Sequence, residues 1–143
     1  MQTIISNNSI KKNSLPIKPV IVGMGFSKKI SAVELIQTLE TFLKQHQYQA
    51  TDIALPTFKQ HDQNTIDLIT LSTLPIHFIN QEKLLNLQHQ CSSFSEISYR
   101  HTGLGTVAEA CALALMNKNG RLLIPKMIYN KISFSIAIKG DPL

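Results

Sequence analysis

Tryptophan is missing from this chain, cysteine occurs twice, and aromatic residues make up only 6% of it. Two cysteines, Cys91 and Cys111, are too few for a disulfide scaffold, and no C-x-x-C pair is present. A reduced, cytoplasmic setting is the simplest reading. No window approaches the roughly 18 unbroken apolar residues of a membrane helix, so no membrane span is expected. The five histidines show no H-x-x-x-H or similar spacing, so no metal site is expected. Acids are scarce too, nine against fourteen lysines and arginines, for a net charge of +5. Those cations are scattered, and only Lys11-Lys12 and Lys28-Lys29 are adjacent. A nucleic-acid surface concentrates its charge in a denser stripe, often with exposed aromatics, so nucleic acid is not the expected partner. A small polyanionic ligand explains the charge as well, and so does a solvated surface.

What is present is an ordinary globular balance, 43% hydrophobic and 16% charged residues in 143. The N-terminal MQTIISNNSIKKNSLPIKP lacks the apolar core of a secretory signal. Residues 1–16 read as a disordered polar arm and 17–143 as one domain. Residues 18–22 (KPVIV) form a β-branched run that stops at Gly23 and reads as a buried strand. A helix follows over about 31–47, with Leu35, Leu39, Phe42 and Leu43 on one face and Ser31 and Glu34 as a capping box. Further along come a strand at 51–55 closed by Pro56, a loop, a helix over 63–72 and a strand at 76–79. Asn80 caps a short helix, QEKLLNL. Residues 88–99 read as a loop or weak strand. A helix with Val107, Cys111, Ala114 and Leu115 on one face then ends at Asn119-Gly120. Residues 121–124 and 131–138 are the last strands, and the short loop PKMIYN makes them antiparallel. The alternation predicts an α/β fold, a three-layer α/β/α sandwich on a mixed, mostly parallel central sheet.

Two glycine stretches stand before helices. One is Gly23-Met24-Gly25-Phe26-Ser27-Lys28-Lys29-Ile30-Ser31, and the other is Gly103-Leu104-Gly105-Thr106. Gly103, Gly105 and Ala108 fit G-x-G-x-x-A, the looser dinucleotide fingerprint. That fingerprint needs a strand immediately before it and a ribose-binding acid about 20 residues on. SEISYRH is a poor strand, and residues 124–131 contain no acid. No Walker pattern is present, so no nucleotide cofactor is expected. Helix N-termini do favour anions, and Lys28, Lys29, Lys59 and Lys126 fall near strand ends. Turn glycines with caps, and no ligand, remain the plainer alternative. Thr106 and Glu109 again have capping-box spacing. Glu109 is therefore either a cap, the favoured role, or a catalytic carboxylate. His61-Asp62 fits an acid–base pair or a solvated helix start. His77, in an apolar strand, fits a satisfied core or edge histidine.

Taken together, VIVGMGFSKKISAVEL, IALPTFKQHD, LPIHFINQEKL, TGLGTVAEACAL and LLIPKMIYNKISFSIAI resemble the CobE family, which is also the C-terminal domain of the CbiG proteins of cobalamin biosynthesis. The likeness spans about residues 17–139. Its pattern falls on Gly23, Gly25, Lys59, Gly103, Gly105, Val107, Glu109, Pro125 and Lys126. The family commonly has a Cys-Arg pair where this chain has Phe26-Ser27, and an acidic pair where it has His61-Asp62. No role resting on a thiol or a second carboxylate is therefore carried over. The resemblance implies a tetrapyrrole partner, a precorrin or hydrogenobyrinate-type intermediate, handled in the aerobic route. The contacts expected for such a ligand, drawn from the two glycine loops and the lysines near strand ends, are Gly23, Met24, Gly25, Phe26, Lys28, Lys29, Ser31, Lys59, Gly103, Leu104, Gly105, Thr106 and Lys126. The alternative is a lactone-opening hydrolase of the cobalt-precorrin-5A type, with Glu109 or His61 steering water and Lys59 or Lys126 stabilising the oxyanion. A third reading is a module that contacts other pathway enzymes without binding a ligand.

Overall fold

The computed structural model describes residues 19–140, so the proposed arm at 1–16 lies outside the described residues. Five strands, β1 (Pro19–Gly25), β2 (Gln49–Pro56), β3 (Ile76–Ile79), β4 (Arg121–Tyr129) and β5 (Ile132–Ile138), form one sheet in the order β3-β2-β1-β5-β4. β1, β2 and β3 are parallel. β5 is antiparallel to both β1 and β4. Four strands thus share one direction, and only β5 opposes them.

The helices are α1 (Ala32–His46), α2 (Gln63–Leu71), α3 (Gln81–Leu87), α4 (Glu96–Thr102) and α5 (Ala108–Ala114). Alternation along β1 divides the core into two. Val20, Val22 and Met24 meet Leu35, Leu39 and Phe42 of α1 and Leu68 of α2. Ile21 meets Leu84 of α3 and Ala110, Cys111 and Ala114 of α5 on the opposite face. Helices cover both faces of the sheet, as the expected sandwich requires. Phe42 stacks on Phe134 with ring centroids 4.7 Å apart, which joins α1 to β5.

Several local expectations are met. Ser31 Oγ accepts the Glu34 N–H at 3.1 Å to start α1. Asn80 Oδ1 accepts the Lys83 N–H at 2.8 Å to start α3. Others are corrected. β1 continues through Met24 to Gly25 instead of stopping at Gly23, so the first glycine pair lies in a strand. β4 runs on to Tyr129, and the expected PKMIYN loop shrinks to Asn130 and Lys131, both with positive φ (52° and 65°). That geometry matches the twist of a two-residue hairpin. Residues 96–102 are helical, not loop or strand, with Ser95 Oγ accepting the Ser98 N–H at 3.2 Å.

The Thr106–Glu109 capping box does not form. Val107 occupies the start of α5 without a side-chain cap, and Thr106 Oγ1 is buried without a hydrogen-bond partner. Gly23 explains why α5 sits so close to the sheet. A Cβ there would collide with the Ala108 carbonyl oxygen and the Ala112 nitrogen of the helix.

Candidate functional site

Ligands of open α/β sheets bind beyond the carboxyl ends of the parallel strands. A cleft of about 680 Å³ opens at that edge. β1 contributes Met24 and Gly25, and the following turn adds Phe26, Ser27 and Lys28. β2 ends at Pro56 in the lining, and Phe58 and Lys59 stand past it. Ser95, Ile97, Ser98, His101 and Thr102 of the α4 segment form one wall, and 105–108 form the approach to α5. Lys126 and Ile128 of β4, Lys131 of the hairpin and Ser133 of β5 form the other wall.

Among the described residues, four lysines therefore line the cleft, and no aspartate or glutamate does. Between them stand apolar side chains that are unusually open to solvent: Ile97 is 70% exposed, Ile128 63% and Phe58 46%. Lys59 is half-buried, whereas Lys28 and Lys131 are exposed. Lys59 Nζ lies 5.0 Å from the centre of the Phe26 ring and 3.6 Å from Asp62 Oδ2. Burial lowers its pKa from the ordinary lysine value, Asp62 offsets part of that, and the charge of Lys28 adds to the lowering. Asn64 of α2 secures the turn that carries Lys28. Its Nδ2 donates to the Ser27 carbonyl at 3.1 Å and the Ile30 carbonyl at 2.7 Å.

The structure gathers Met24, Gly25, Phe26, Lys28, Lys59, Gly105, Thr106 and Lys126 of the expected contacts around this cleft. The rest stand elsewhere. Gly23 lies under α5, Leu104 is in the core, Gly103 ends α4, and Ser31 caps α1. Lys29 is exposed outside the lining, with its N–H on Ser27 Oγ at 3.1 Å. His61 is exposed and pairs with Gln60. His77 is an edge-strand residue bound to Asp52 at 2.7 Å, away from the cleft. Phe58, Ile97, Ser98, His101, Thr102, Ile128, Lys131 and Ser133 are among the additions. The N-cap serine at 95 was the available signal for the α4 group.

Glu109 is fully buried and, among the described residues, makes no salt bridge. Its Oε1 accepts the Ser92 N–H at 2.7 Å, and its Oε2 accepts the Lys126 N–H at 2.8 Å. Ser92 Oγ lies 3.3 Å from both oxygens. Burial by itself would raise the pKa of this carboxyl. Donors from Lys126 and the Ser92–Ser93 turn outweigh it and hold the pKa below the ordinary value. Among the described residues, no group of three or more His, Cys, Asp or Glu side chains could hold a metal ion, and no helix is long and apolar enough to cross a membrane.

A family model described as Cobalamin synthesis G C-terminus matches residues 20–137. The chain belongs to that family. Among solved structures, CobE, a protein from the cobalamin (vitamin B12) biosynthetic pathway, is similar with a TM-score of 0.73 and 30% identity, over 87% of this chain and 93% of that one. The cobalamin biosynthesis protein chiG from Agrobacterium tumefaciens str. C58 has a TM-score of 0.68 at 22% identity, over 85% of this chain and 99% of that one. A putative cobalamin biosynthesis protein G homolog from Sulfolobus solfataricus shares the fold at a TM-score of 0.61 and 18% identity, over 96% of this chain but 42% of that one. No curated sequence matches this chain. For a cobalamin-synthesis family member, the G-x-G-T-V-A-E block now has a physical division of labour. Gly105 and Thr106 face the cleft, and Glu109 lies behind it.

Proposed function

We propose that this protein holds a corrin-precursor tetrapyrrole of the aerobic route, a precorrin or hydrogenobyrinate-type intermediate, in the cytoplasm. One observation carries the reading: a cleft whose described lining has four lysines, no carboxylate and exposed Phe58, Ile97 and Ile128. Such precursors surround an apolar macrocycle with acetate and propionate groups. The lysines would pair the carboxylates while the apolar side chains cover the ring. The likeness to CobE supports the pathway assignment. The geometry favours holding over lactone hydrolysis. Of the proposed acid–base residues, Glu109 is closed off from solvent and His61 is outside the lining.

Titration of the purified protein with hydrogenobyrinic acid, followed by visible absorption, tests the reading. A saturable spectral change at one equivalent is expected. A spectrum that stays the sum of its parts at high ligand concentration would remove the proposal. Release of acetaldehyde from the lactone substrate would favour the hydrolase instead.

A further inference from the structure

Lys126 is backed by an irregular stretch of backbone. Ile124 pairs with Ile136 and Met127 with Phe134, so Pro125 and Lys126 together face the single residue Ser135. This is a β-bulge, and it leaves ladder groups to be satisfied elsewhere. Ser135, fully buried, donates its hydroxyl to the Ile124 carbonyl at 2.8 Å. Proline has no N–H to offer. The Lys126 N–H turns inward to Glu109 Oε2. The other oxygen of the same carboxylate takes the Ser92 N–H, three residues before the Ser95 cap that begins α4. Each oxygen thus takes a backbone donor from a different side, one from β4 and one from the loop that leads into the α4 wall.

We propose that Glu109 is a positioning residue that spans the two walls from behind. It fixes the bulge that turns the Lys126 side chain into the cleft, and it fixes the loop from which α4 rises. This inference rests on the tetrapyrrole reading for its effect on affinity but not for the tether itself. Glu109 acts on the ligand only through Lys126 and α4, because its own carboxylate is shut off from solvent. A neutral amide of the same shape cannot do this work. In Glu109→Gln, one of the two positions becomes an N–H donor facing another donor. One wall must come loose.

Two measurements on the full chain test the tether. In ligand-free Glu109→Gln, amide hydrogen exchange at Lys126 or Ser92 should accelerate about tenfold or more, while the amides of β1 and β2 keep their protection. Affinity for hydrogenobyrinic acid should fall about tenfold, and the Glu109→Gln/Lys126→Ala double variant should lose less than the sum of the two single losses. Unchanged exchange overturns the proposal whatever the affinity does. Strictly additive losses overturn it too, since they make Glu109 independent of Lys126. If the wild-type chain binds no tetrapyrrole, the functional reading fails and exchange alone decides the tether. If Glu109→Gln does not fold, trans-hydrogen-bond couplings from the Lys126 and Ser92 amide nitrogens to the Glu109 carboxylate carbon decide it in the wild-type chain. Absence of both couplings would overturn it.

Discussion

At single positions, several side chains are set by constraints other than their neighbours in sequence. Position 23 has no room for a methyl group, because the α5 backbone occupies it. Gly23→Ala is expected to cost about 2–3 kcal/mol of stability, as overpacking against backbone does, and urea unfolding measures it. Lys131 adopts φ 65°, a conformation that costs a side-chain-bearing residue roughly 1 kcal/mol. Lys131→Gly should therefore raise the urea midpoint while weakening any anionic ligand of the cleft. A gain on both counts would deny this lysine a role there. The folded-state pKa of Glu109 is depressed. Its contribution is therefore full above the unfolded-state pKa and is lost as pH falls through the folded-state one. Urea midpoints measured from neutral pH into acid should decline less steeply for Glu109→Gln than for the wild type.

Among the elements, α4 is the most weakly attached. None of its residues is buried. Hydroxyls and backbone hold it: Ser98 Oγ donates to the Leu104 carbonyl at 2.8 Å, and the Ser95 N–H donates to the Gly105 carbonyl at 2.7 Å. Phe94 lies on Gly105, where a side chain would collide with its ring. Amides of α4 should exchange faster than those of α1, and a bound tetrapyrrole should slow them. Fast exchange that the ligand leaves unaltered would separate α4 from the site. The same weakness explains why this helix was illegible in sequence. A helix held by serines and a threonine has no apolar period to read. α3 was legible because Asn80 marks its start, and β3 because Pro75 and Asn80 bracket IHFI. The Thr106–Glu109 spacing misled for a different reason. A carboxylate one turn into a helix can cap it or cross to other strands, and only the tertiary approach of Lys126 and Ser92 decides between them. Lys131 escaped notice because the hairpin that brings it to the cleft is shorter than PKMIYN suggested.

For the molecule as a whole, the scattered charge of the sequence becomes directional once folded. Lys28, Lys59 and the Lys126–Lys131 pair of the β4–β5 hairpin come from three separate segments and converge on one cleft. Lys28→Ala with Lys126→Ala should reduce tetrapyrrole affinity and flatten its dependence on salt, since two of the charges that salt screens are gone. An unchanged salt dependence would place the ligand elsewhere. The reversed direction of β5 has a consequence of another kind. β1 enters the sheet at Pro19, and β5 leaves it at Ile138, close to the Ile21–Ala137 pair. Gly25 and Ser133, paired at the opposite end of the same two strands, border the cleft. An affinity tag, a surface linker or a fused fluorescent protein attached before Pro19 or after Ile138 would start from the far end of the sheet. The domain can thus be tethered by either side of its chain with its mouth turned to the solution.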